Sequence, residues 1–157
     1  MLSMNSHPQL PLGLALRDSA RFNSYFPGPN LETVDGLQRS ATGNGEALVY
    51  LAGAAGMGKT HLLQAACYDA AQSGRTTGYL PLQELLVYTA TVFDDLEQLD
   101  LICIDDVTAI AGRDDWERGL FDLFNRARQS GGTLLIAGDR RADQAGFRLP
   151  DLVSRLG

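Results

Sequence analysis

The sequence predicts an α/β domain in which a doubly wound, mostly parallel sheet is flanked by helices on both faces. Three observations predict it. Short apolar runs alternate with segments of helical period, a glycine-rich loop ending in lysine and threonine joins the first run to the first such segment, and a later run closes on two adjacent acids. Alternation of this kind makes every strand feed a crossover, and right-handed crossovers cover both faces of the sheet. At 157 residues the chain is long enough for one domain of ordinary size. With 45% hydrophobic and 20% charged residues it sits near the soluble globular average, which sets aside disordered and collagen-like chains.

Residues 1–30 carry Pro8, Pro11, Pro27 and Pro29 and read as an extended arm rather than a core element. The run ALVYLA (47–52) ends at glycine, as a buried parallel strand does. After the loop GAAGMGKT, the segment THLLQAACYDAAQSG puts Leu62, Leu63, Ala66, Cys67 and Ala70 on one helical face and stops at Ser73-Gly74. TTGYLP (76–81) is the second strand. LQELLVYTATVFDDLEQL (82–99) reads as a helix broken near Thr89 to Thr91. LDLICIDD (99–106) is the third strand, DDWERGLFDLFNRARQSGG a helix with Trp116, Leu120, Phe121, Leu123, Phe124 and Ala127 at helical spacing, and TLLIAGDR the fourth strand. LPDLVSRLG forms a short closing helix that carries Arg155.

The net charge of −6, from 13 basic and 19 acidic residues, argues against a domain whose main business is coating DNA phosphates. Residues 1–78 balance to zero, so the whole excess lies in the second half, much of it between Asp94 and Asp115. Lys59 is the only lysine in the chain; arginine serves everywhere else. Cys67 and Cys103 have no second thiol or histidine at ligand spacing, so both are expected as core thiols. No apolar run approaches the roughly 18 residues of a membrane span, and the start MLSMNSHPQLPLGLAL has neither a basic leader nor a small-residue cleavage site, so a cytoplasmic protein is expected.

Gly53 to Thr60 matches G-x-x-x-x-G-K-[ST] in full, between a strand and a helix, and marks a P-loop NTPase. Gly53, Gly56 and Gly58 let successive backbone N–H groups wrap phosphates, the helix start stabilises their charge, and Lys59 reaches the outer ones. Thr60 offers a hydroxyl to Mg²⁺. Asp105, at the carboxyl end of its strand, is placed as the second metal-side acid, and Asp106 faces the attacking water. Asp139, closing the fourth strand, is placed to sense the terminal phosphate or hold that water. His61 follows the loop in the first helical turn.

GAAGMGKTHLL, LICIDD, FDLFNRARQSG, LLIAGDR and LPDLVSRLG occur in an order and spacing that resemble the AAA+ domain of the bacterial replication initiator DnaA and its shorter relatives, the Hda regulators that inactivate DnaA. The arm favours the Hda group: QLPLGL resembles its sliding-clamp-binding hexapeptide, here with Gly13 where proline is usual, and RFNSYFPGPN resembles the aromatic segment before the base pocket. The resemblance implies an AAA+ base subdomain with a five-stranded sheet over 21–157, preceded by an arm at 1–20. The helical lid of the family falls beyond Gly157. It further implies ATP or ADP and Mg²⁺ as cofactors. Gly53, Gly56, Gly58, Lys59, Thr60, His61 and Phe26 would bind nucleotide, Thr60 and Asp105 the metal. Asp106 and Asp139 would serve hydrolysis, and Arg155 would be an arginine finger. Gln9, Leu10, Leu12 and Leu14 would contact the clamp.

The function so implied is regulation of replication initiation: little or no intrinsic ATPase, and promotion in trans of hydrolysis of DnaA-bound ATP while the chain is held at the clamp. DnaA and the clamp are the expected partners, self-association is left open, and neither sequence-specific DNA binding nor a membrane is expected. The alternative is a DnaA-type or helicase-loader-type ATPase acting on DNA itself. A generic P-loop kinase would leave QLPLGL and the spacing from FDLFNR to SRL unexplained.

Overall fold

The computed structural model describes residues 31–53 and 58–157, the side chains from residue 36 onward. Four strands, β1 (Leu48–Ala52), β2 (Thr77–Pro81), β3 (Leu101–Asp105) and β4 (Thr133–Gly138), form one parallel sheet in the order β1-β4-β3-β2. Five helices accompany them: α1 (Leu31–Ala41), α2 (Lys59–Gln72), α3 (Leu82–Leu85), α4 (Asp114–Ser130) and α5 (Pro150–Leu156). The expected crossovers are all present, because each apolar run is too short for anything but a strand and each is followed by a helical segment.

Strand alternation divides the core into two layers. Along β3, Leu101 and Cys103 pack toward α1 and α2, whereas Ile102 and Ile104 pack toward α4 and α5. The first layer is built of small residues: Ala65, Ala66, Cys67 and Ala70 of α2 are fully buried, which lets this helix lie close on the sheet. The second holds the bulk, with Trp116, Leu120, Leu123 and Phe124 of α4 over Leu134 and Ile136. Cys67 and Cys103 are buried free thiols in the first layer, as expected of core cysteines.

Three parts of the sequence reading are corrected. The resemblance implies five strands, but four are found among the described residues: the chain leaves β4 through a 3-10 turn (Ala142–Gln144) into α5, and one edge of β1 stays unpaired there. Residues 82–99 are not a helix broken once. After the single turn of α3 they form two 3-10 turns, Ala90–Phe93 and Leu96–Gln98. Val87, Tyr88, Thr89, Thr91 and Val92 are β-branched or aromatic and lose side-chain freedom in a helix, and Thr89 Oγ1 instead accepts from the Thr91 N–H at 3.4 Å. These turns earn their place by burying Val92, Phe93 and Leu96; Phe93 meets Trp116 edge-on at 5.6 Å. Thirdly, α1 has no counterpart in the sequence reading. It buries Leu37 and Ala41 against α2, and Arg75 Nη1 donates to the Ala41 carbonyl at 2.6 Å, capping its carboxyl end with a cation.

Candidate functional site

The carboxyl ends of the strands converge on one rim. Gly53, just after β1, donates its N–H to the Gly138 carbonyl at the end of β4 at 3.1 Å. Gly58 stands at the amino end of α2 with φ of 82°, a left-handed conformation that suits glycine. The first turn of α2 carries no acidic residue, so nothing on its own side chains offsets the positive end of the helix dipole. Lys59 Nζ donates to the Gly53 carbonyl, spanning the base of the loop. His61 is half-buried one residue past Thr60. Gly56 lies outside the described residues, as do Phe26 and the arm residues Gln9, Leu10, Leu12 and Leu14.

Asp105 is the centre of this rim. Only 2% exposed, its carboxylate accepts from Thr60 Oγ1 at 2.6 Å and from the Tyr79 hydroxyl at 2.7 Å, both on Oδ2, and from the Asp106 N–H at 2.9 Å on Oδ1. Alternation puts it on the α2 side of β3, which is why a helix residue can reach it. Burial, reinforced by the hydrogen bond to Asp105 and its negative charge, pushes the Tyr79 phenol far above its ordinary range; a hydrogen bond from Gln64 works against the shift. Tyr79 is therefore a permanent donor to the carboxylate.

Asp106 is exposed and takes a left-handed backbone, φ 55°. Burial of part of its carboxyl raises its pKa first, the charge of Asp105 second, with Glu84 and Asp139 adding in the same sense and Lys59 opposing. Asp139 is exposed at the end of β4, its N–H donating to Thr108 Oγ1 at 3.2 Å. The same turn is held by Tyr50, whose hydroxyl donates to the Arg140 carbonyl. Gly138 has to be glycine: a Cβ there would collide with the Tyr50 hydroxyl and lie 2.9 Å from Thr108 Oγ1.

The structure thus brings Gly53, Gly58, Lys59, Thr60, Asp105, Asp106 and Asp139 to one rim. It does not bring Arg155 there. Arg155 lies against α4, its guanidinium 5.2 Å from the centre of the Phe121 ring and 3.4 Å from Asn125 Oδ1, beside a groove lined by Ala47, Leu48 and Leu134 at the amino ends of β1 and β4. At about 3.3 Å per residue, the strands separate that groove from the rim by roughly 13 Å.

Sequence reasoning missed Tyr79 and Gln64. The available signals were weak: Gln64 follows Thr60 by one helical turn, and Tyr79 sits in a strand whose alternate residues are apolar.

A strand, a glycine-rich turn, lysine and threonine at a helix start and a buried acid on β3, across β4 from β1, form a constellation with the donor chemistry to take a phosphate chain and a hard cation. Residues 28–146 match the family described as Novel STAND NTPase 5. The chain belongs to that family. Its fold is shared with replication proteins of known structure. AMPPCP-bound DnaA from Aquifex aeolicus superposes with a TM-score of 0.77 at 24% identity, covering 89% of this chain and 48% of that one. Domain III of the Thermotoga maritima replication initiation protein DnaA gives 0.74 at 24% identity, covering 89% and 64% respectively. DnaI gives 0.69 at 13% identity, covering 86% and 81%. The chain therefore spans about half the length of the Aquifex aeolicus DnaA chain. The P-loop NTPase fold expected from the sequence is the one found, and no helix among the described residues is long and apolar enough to cross a membrane.

Proposed function

We propose that this Novel STAND NTPase 5 member is an adenine-nucleotide-binding AAA+ regulator of bacterial replication initiation, acting in trans on ATP held by DnaA, with its arm on the sliding clamp. The donor set fits the cofactors. Lys59 and the amino end of α2 would hold the phosphates, and Thr60 with Asp105 offers hard oxygen ligands in contact with one another, as Mg²⁺ prefers. Bound there, the ion would neutralise charge on the outer phosphate oxygens. Asp106 and Asp139, both exposed on the rim, would orient water, and Phe26 would face the base. Gln9, Leu10, Leu12 and Leu14 would anchor the arm on the clamp.

The observation that carries the trans reading is the position of Arg155. A guanidinium held by Phe121 and Asn125 at the far flank cannot serve its own phosphate loop, but it is half-buried and oriented rather than waving in solvent. A planar, permanently charged fork suits charge that develops on a phosphoryl group, and lysine does not replace it. The test is hydrolysis of DnaA-bound ATP with clamp-loaded DNA. Arg155→Ala and Arg155→Lys should both lower the stimulation, by about 10³-fold or more if the finger is worth what such arginines usually are, with ADP affinity of this chain unchanged. Stimulation equal to that of the parent would overturn the finger. A second reading, an ATPase that turns over its own nucleotide, is favoured by Asp106, an exposed carboxylate beside Asp105 and within the field of Lys59; turnover by the chain alone distinguishes it.

A further inference from the structure

Beneath the rim, four polar side chains are joined in an otherwise apolar layer. Gln64 of α2, 4% exposed, donates to the Tyr79 hydroxyl; Tyr79 of β2, 3% exposed, donates to Asp105 of β3; Thr60 of α2 donates to the same oxygen of Asp105. Thr60 and Gln64 are one turn apart on one face of α2, so helix and two strands are closed into a single ring of contacts. Stability does not call for it. Phenylalanine at position 79 would fill the same space without desolvating a hydroxyl, which offsets much of what the hydrogen bond contributes.

Orientation does call for it. The carboxylate of an aspartate rotates in a broad, two-fold well, so one contact does not fix its plane. Here the Asp106 N–H holds Oδ1 and two hydroxyls hold Oδ2 from opposite elements. Without Tyr79, Oδ2 would depend on Thr60 alone, the very group whose oxygen is wanted for the cation.

We propose that Tyr79, itself oriented by Gln64, is a positioning residue for the metal-side acid, holding the Asp105 carboxylate so that Mg²⁺ is taken up together with the nucleotide. This rests on the reading of Thr60 and Asp105 as the Mg²⁺ side of the site. Calorimetric titration of the whole chain with ADP, once with Mg²⁺ and once with EDTA, tests it. For Tyr79→Phe, affinity in EDTA should stay within about twofold of the parent, while the gain on adding Mg²⁺ should shrink by about fivefold, the worth of one net hydrogen bond. Gln64→Leu should shrink that gain by about twofold, since it loosens Tyr79 without removing it. Either variant keeping the full Mg²⁺ gain overturns the inference, and so does an equal loss with and without Mg²⁺, which would mark a purely structural role. If Tyr79→Phe does not fold, Gln64→Leu decides. A parent chain indifferent to Mg²⁺ overturns the metal reading first, and is seen before any substitution is made.

Discussion

Among the described residues two carboxylates are almost wholly buried, and they sit on opposite faces of the sheet. Asp105 lies under α2 and takes two of its three hydrogen bonds from side-chain hydroxyls. Glu117 of α4, 1% exposed, takes all of its hydrogen bonds from the main chain: from Gly112 N–H at 2.6 Å, from Arg148 N–H at 2.8 and 3.0 Å, and from Leu149 N–H at 2.8 Å. Hydroxyls can turn and exchange partners; backbone amides cannot without the chain moving. The difference separates a buried charge whose partners can change if a ligand arrives from one that serves as a rivet, a distinction that burial alone does not make.

The sharpest way to break the comparison is to remove each acid's function separately. Glu117→Ala should cost about 3 kcal/mol or more, because it takes the charged acceptor from three part-buried N–H groups, at about 1–3 kcal/mol each, and denaturant unfolding should show a lower midpoint. A loss below about 1 kcal/mol would make Glu117 an ordinary helix acid. At the other face, Lys59→Ala should leave folding within about 1 kcal/mol of the parent yet lower ADP affinity by about 100-fold or more, a loss read directly by calorimetry. Equal binding would break the phosphate-loop assignment.

The smallest effect has the opposite sign. The Asp106 carboxyl is raised above its ordinary 3.8, so the folded chain holds that proton more tightly than the unfolded chain does. Its ionised form therefore opposes folding above the raised value, and this opposition disappears as pH falls to the ordinary one. Asp106→Asn should stabilise the chain at pH 7 by about half a kcal/mol, given its exposure and the screening that follows. The gain should vanish near pH 4 in thermal unfolding, and a gain that persisted there would point to the left-handed backbone, which also favours asparagine.

The same contrast explains what the sequence made legible. The glycine-rich loop, Asp105 and the four strands could be read because each is a local pattern: glycine spacing, an acid closing an apolar run, a short and mostly apolar run between turn residues. Tyr79 and Gln64 could not, since their contact with Asp105 depends on how β2 registers against β3 and on which face of α2 meets the sheet. Glu117 is one of three acids in the first turn of α4, where the dipole alone would justify it; its partners Arg148 and Leu149 are a full strand and loop away. The segment 82–99 misled for a related reason. Its leucines follow helical spacing, but β-branched residues and the pull of α4 on Phe93 win over that local preference.

The strand order also has a consequence for how the molecule comes into being on the ribosome. Among the described residues β1 pairs only with β4, Leu48 lying opposite Leu134 and Ala52 opposite Gly138. The strand that leads into the glycine-rich loop is thus synthesised early and has no sheet neighbour among the described residues until all of β2, β3 and α4 has followed it. Such late closure of a distant pair is what slows the folding of parallel sheets. A nascent chain stopped short of Thr133 carries every residue from Gly53 to Thr60 and the β2–β3 pair but no strand for β1 to join, so the rim is completed at one moment, late in translation, rather than growing with length.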